Sequence, residues 1–168
     1  MSMKQKIFVL YTGGTIGMTQ SSEGLRPDTA LVSQALSPFS DDLDFEWHVC
    51  NPLIDSSSVT LQHWRDWLDI IAAKLPSCDG ILILHGTDSM AYTANLLALA
   101  LRGLGKPIVL TGSQWPYAAE NSDAPRNLST AVAAFSLKLK QTVIAFDGKL
   151  YPAVGSSKVS TETAAGFD

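Results

Sequence analysis

Gly80-Ile81-Leu82-Ile83-Leu84, followed by His85-Gly86-Thr87-Asp88-Ser89 and then by the apolar residues 91–101, decides the fold of this chain. Five successive small or apolar residues predict a strand buried on both faces, as in a parallel sheet. The polar pentapeptide then predicts a turn, with Asp88 or Ser89 placed to cap the helix that follows. Residues 91–101 are apolar almost all round and predict an interior helix. A buried strand, a polar joint and a helix together form one unit of an α/β fold.

Working outward, the same unit recurs. Residues 7–11, 45–50, 107–110 and 142–146 predict further strands. Between them, residues 61–75 place Leu61, Trp64, Trp67, Leu68, Ile71 and Leu75 on one helical face. Residues 125–139 predict a third helix, with Asp123 as its cap and Pro125 in its first turn. Strands alternating with helices predict an α/β domain whose mostly parallel sheet is flanked by helices. In such sheets ligands gather at the carboxyl ends of the strands. Residues 18–27, rich in polar residues and glycine, predict a long mobile loop of the kind that serves as a lid. Residues 161–168 show no closing helix or strand.

The composition excludes several function classes. The 168 residues are 46% hydrophobic and 17% charged, with a formal net charge of −4. The twelve basic residues are scattered, which argues against a nucleic-acid partner. No stretch approaches a membrane span, and the apolar run 7–11 is too short for a secretory signal. Cys50 and Cys78 give neither a disulfide framework nor metal-ligand spacing, and are read as buried free thiols. These features predict a soluble, intracellular protein.

Three polar clusters each follow a predicted strand. Thr12-Gly13-Gly14-Thr15-Ile16-Gly17 presents a hydroxyl beside two glycines that permit a tight turn and close ligand approach. The alternative is an ordinary Gly-rich turn, since the cluster lacks the third glycine of GxGxxG and the lysine of a phosphate loop. In the second cluster Thr87 offers a second hydroxyl and Asp88 a carboxylate at a helix N-terminus, suited to an ammonium group. His85 is read as structural. Asp55-Ser56-Ser57-Ser58 is a local turn unless it meets the other two clusters in space. Lys158 gains a role as a base only if it is desolvated beside a hydroxyl.

Together these segments resemble bacterial-type, type I L-asparaginases. Tyr11-Thr12-Gly13-Gly14-Thr15-Ile16-Gly17-Met18 is similar to that family's opening signature, and residues 85–94 (HGTDSMAYTA) to its second. Asp55-Ser56-Ser57, Thr111-Gly112-Ser113-Gln114-Trp115-Pro116, Ser122-Asp123 with Asn127-Leu128, and Lys158 follow in the family's order. The resemblance implies hydrolysis of L-asparagine to L-aspartate and ammonia without metal or organic cofactor. It implies Thr15 as nucleophile, and a second group of Thr87, Asp88 and Lys158 with the lysine as base. It implies a substrate-binding set of Asp55, Ser56, Ser57, Gly86 and Ser113. Leu25 stands where many relatives carry a loop tyrosine, so no phenol is available there for a proton relay. The resemblance further implies a smaller C-terminal α/β domain, which residues 1–168 do not include, and a homodimer or homotetramer for the full-length family member. Two other readings are an ammonia-supplying subunit of a tRNA-dependent amidotransferase and a non-catalytic amino-acid-binding module. The first calls for a domain ahead of the first strand, where only about six residues stand.

Overall fold

The computed structural model describes residues 3–168. Twelve regular elements follow in chain order. They are β1 (Gln5–Tyr11), β2 (Met18–Ser21), β3 (Gly24–Pro27), α1 (Thr29–Leu36), β4 (Leu43–Val49), α2 (Leu61–Lys74), β5 (Gly80–Leu84), α3 (Met90–Ala100), β6 (Ile108–Thr111), α4 (Ala124–Ala134), β7 (Thr142–Phe146) and β8 (Lys149–Pro152).

One six-stranded sheet runs in the order β4-β1-β5-β6-β7-β8. Its first five strands are parallel, and β8 closes the edge antiparallel to β7. The alternation of side chains along β1 explains the layers. Ile7, Val9 and Tyr11 face one core with Val32 and Leu36 of α1 and Leu128, Ala131 and Ala134 of α4. Phe8 and Leu10 face a second core with Trp67 and Ile71 of α2 and Met90, Ala94 and Leu97 of α3. Burying large apolar side chains on both faces, at about 1.5–3 kcal/mol each, is what forces helices onto both sides of the sheet. The three-layer α/β architecture is the one read from the sequence.

The strand order reverses at β1. The chain passes from β1 to β4 on one side, then crosses to β5 on the other. The carboxyl ends of β1 and β5 therefore bound the crevice where doubly wound sheets bind ligands.

Several sequence expectations need correction. Residues 18–27 form the hairpin β2–β3, not an irregular loop; Ser21 Oγ donates to the Gly24 carbonyl across its turn. Its side chains, all half-buried or exposed, leave no apolar alternation to read. The third helix ends at Ala134 and tightens into a 3₁₀ turn over Phe135–Leu137, stopped by Lys138 at φ 53°. Asp123 stands at its N-cap position, but the Asp123 carboxylate makes no capping bond. Residues 161–168 form no helix or strand, as expected, but they are tied back to the preceding segment. Lys158 pairs with Phe167 in an antiparallel bridge, and Phe167 packs edge-on against Phe146 at 4.9 Å. Both cysteines are free; Cys78 is buried, whereas Cys50 is only half-buried. Among the described residues no helix is long and apolar enough to cross a membrane.

Candidate active site

The end of β1 supplies the first wall. Thr12 continues the strand pairing, its N–H and its hydroxyl both donating to the Leu84 carbonyl, at 2.9 and 2.8 Å. Gly14 then turns at φ 97° and ψ 167°, a conformation essentially confined to glycine. A Cβ there would lie 2.6 Å from the Gly86 nitrogen and 2.7 Å from its Cα. The two loops after β1 and β5 therefore touch backbone to backbone. Thr15, next in sequence, opens a 3₁₀ turn and is half-buried, and its hydroxyl bonds to no described residue.

The third loop is stitched to the second. Ser56 Oγ accepts the Asp88 N–H at 3.1 Å, and the Ser56 carbonyl accepts the Ser89 hydroxyl at 2.6 Å. Ser89, at the α3 N-cap position, spends its side chain there and not on capping. Asp55 accepts from the Ser57 N–H at 2.9 Å and from the Ser57 hydroxyl at 2.8 Å. These two bonds, the backbone one first, hold the Asp55 carboxyl below its ordinary pKa and so keep it ionised.

Lys158 arrives from 70 residues downstream. Its Nζ lies 2.7 Å from Thr87 Oγ1 and 2.7 Å from Asp88 Oδ1. The lysine side chain is only 13% exposed against 56% for Asp88, so the pair has a dry end and a wet end. The bridge to Phe167 holds the lysine's backbone in place.

These groups share one cavity of about 270 Å³, large enough for a small amino acid. Of the residues singled out in the sequence, Thr15, Asp55, Ser56, Gly86, Thr87, Asp88 and Lys158 all line it. Ser57 and Ser113 do not. The Ser57 hydroxyl is turned to Asp55, and the buried Ser113 donates to the Trp115 carbonyl. A second cavity, of about 430 Å³, opens beyond Asp88 and Lys158, between α3 and residues 156–161, so this pair forms the wall between the two spaces.

Gln114, inside the Thr111–Pro116 motif, also lines the cavity. Its Oε1 accepts the Thr87 hydroxyl at 3.2 Å, while its Nε2 donates to the Ser160 carbonyl at 2.9 Å. The buried Asp123 carboxylate receives the Gln114 and Trp115 N–H groups and Asn127 Nδ2, which fixes this turn. Here is the actual work of Asp123, in place of the helix cap. Nothing in the local sequence distinguishes Gln114 from Ser113 as the inward residue; the Asp123 anchor nine residues on makes that choice.

His85 is 1% exposed and burial lowers its pKa to about 4, outweighing the raising effect of its bond to the Gly86 carbonyl. It is a neutral, structural imidazole at physiological pH, as the sequence suggested. Tyr11, close against Gly17, has its phenol pushed up to about 12, first by burial and then by the charge of Asp28.

Known proteins share this fold. The family model for the N-terminal part of asparaginase matches residues 6–168. L-asparaginase 1 of Escherichia coli is 38% identical over 171 aligned residues, covering 98% of this chain and 50% of that protein. The thermostable L-asparaginase from Thermococcus kodakarensis superposes with a TM-score of 0.88 at 31% identity, covering 97% of this chain and 50% of that one. L-asparaginase I from Vibrio cholerae superposes with a TM-score of 0.82 at 34% identity, covering 99% and 51%. The chain thus spans about half the length of these relatives. With the family model matched over nearly every residue, the chain belongs to the asparaginase family.

Proposed function

We propose that this chain carries the catalytic groups for hydrolysis of L-asparagine to L-aspartate and ammonia. The observation behind this reading is the contact of Lys158 Nζ with both Thr87 Oγ1 and Asp88 Oδ1, at 2.7 Å each, in the cavity that Thr15 also lines. An unreactive amide calls for an activated hydroxyl and for donors toward the developing oxyanion. Thr15 Oγ1 attacks the side-chain amide carbon. The C–N bond then breaks, ammonia leaves with the hydroxyl proton, and a β-aspartyl ester remains on Thr15. Water, deprotonated by the Thr87–Lys158 pair, cleaves that ester and returns the proton to Thr15. Asp88 takes the substrate ammonium, and the Ser56 segment takes its carboxylate. The Thr87 backbone N–H, which bonds to no described residue, is available to the oxyanion.

The test is ammonia release from L-asparagine by the protein and by Thr15→Ala and Thr87→Val. Release that both substitutions abolish, with circular dichroism unchanged, supports the reading. Aspartate binding by calorimetry without any turnover overturns hydrolysis in favour of an amino-acid-binding module.

A further inference from the structure

His85 is buried beside the site and takes no part in the reaction above, yet every hydrogen-bonding atom of its ring is engaged. Nδ1 lies 2.6 Å from the Gly86 carbonyl, and Nε2 lies 2.8 Å from the Thr93 hydroxyl on α3. That hydroxyl in turn receives the indole N–H of Trp64 on α2 at 2.9 Å. The ends of this chain fix its direction. An indole can only donate, and a carbonyl can only accept. The Gly86 carbonyl therefore requires the proton on Nδ1, leaving Nε2 bare. Thr93 must donate to Nε2, because that bare nitrogen can only accept, while the threonine oxygen keeps its lone pairs for the Trp64 indole. Trp67 stands edge-on to the imidazole at 5.5 Å and confines the ring.

The far end of the chain is the Gly86–Thr87 peptide, which lines the cavity. This peptide is planar and trans, so its N–H points away from its C=O. Pulling the Gly86 oxygen toward the buried ring sets the Thr87 N–H on the opposite edge. We infer that Trp64, Thr93 and His85 form a one-directional hydrogen-bond relay that positions the Thr87 amide as an oxyanion donor. His85 is thus a positioning residue, not an acid or a base. The inference rests on the hydrolytic reading for its kinetic consequence, but its geometric content can be tested without turnover.

The experiment has two arms. In the first, ¹⁵N NMR of the wild-type protein reads the His85 tautomer, and the Thr87 amide resonance is compared between wild type and Thr93→Val. The expected result is a single neutral tautomer protonated at Nδ1, and a Thr87 resonance that moves in the variant. Protonation at Nε2, or a Thr87 resonance left in place, overturns the relay even if no ammonia is released. In the second arm, kcat and KM for ammonia release are measured for Thr93→Val, His85→Leu and His85→Asn. Thr93→Val and His85→Leu are expected to lower kcat about tenfold with KM little changed. That is less than the roughly 10²–10³-fold cost of deleting an oxyanion donor outright. His85→Asn, whose amide N–H can reach the Gly86 carbonyl in place of Nδ1, is expected to recover most of the loss. An asparagine variant no better than leucine, or a loss confined to KM, overturns the positioning role. A wild-type protein without turnover overturns the hydrolytic reading alone, and the first arm still decides the relay.

Discussion

Lys158 and Thr87 are 71 residues apart, and yet the lysine Nζ rests 2.7 Å from the threonine Oγ1. The lysine is anchored by the Phe167 bridge and the threonine by the turn after β5, so two independent pieces of backbone hold one contact. Replacing Lys158 with Met keeps the length and apolar stem of the side chain and removes the amine. We expect kcat for ammonia release to fall by roughly 10²–10⁴-fold, the usual contribution of a positioned acid–base group. Steady-state kinetics on a variant with an unchanged near-ultraviolet spectrum checks this. The exposed Asp88 end makes the ion pair itself a small contributor to stability.

Gly14→Ala should be far more costly than an ordinary glycine substitution. It combines a conformation that side chains avoid, worth about 1–3 kcal/mol, with a Cβ driven into the Gly86 backbone. Gly105 also has a positive φ, of 72°, but open space around it. Gly105→Ala should therefore show the conformational cost without the clash. Urea midpoints of the two variants, compared with wild type, separate the two contributions.

His85 gives stability a defined pH dependence. Its pKa of about 4 in the fold lies below the ordinary value of 6.5. Above pH 6.5 the ring is neutral in both folded and unfolded chains and costs nothing. As pH falls from 6.5 toward 4 the unfolded chain takes up the proton and the folded one does not, so stability declines through that window and levels off below it. The full difference is about 3 kcal/mol at 1.36 kcal/mol per unit. His85→Asn should flatten this part of the curve, as read from urea unfolding between pH 4 and 7.

Gln114 joins Thr87 to the segment that carries Lys158, accepting from the Thr87 hydroxyl and donating to the Ser160 and Thr163 carbonyls. Gln114→Leu should loosen residues 158–163 by about 1 kcal/mol for the lost interactions. Hydrogen exchange of the Val159 amide, which donates to the Gly166 carbonyl, provides the measurement. Faster exchange there, with β5 amides unaffected, is the expected outcome.

Much of this molecule was legible in local sequence because local physics controls it. The strand at residues 80–84 and that at 142–146 match the observed β5 and β7, since runs of buried apolar residues admit few alternatives. Two elements passed unread although each carried a local signal. Asp28, whose carboxylate accepts the Ala30 and Leu31 N–H groups, announces α1. Asp147-Gly148, with φ 48° and 73°, is the tight turn that folds β8 back on β7.

The sequence by itself determined the alternation of strands and helices, the apolar faces that must be covered, and the residue types able to attack an amide. Tertiary structure alone decided which of them meet. Crossing from β4 over β1 to β5 brings Gly14 against Gly86. The Asp123 carboxylate accepts the Gln114 and Trp115 N–H groups, holding the turn from which Gln114, and not Ser113, faces the cavity. The Phe167 bridge seats Lys158 beside Thr87. Such contacts depend on where the backbone passes tens of residues away, and no local pattern of residues encodes that.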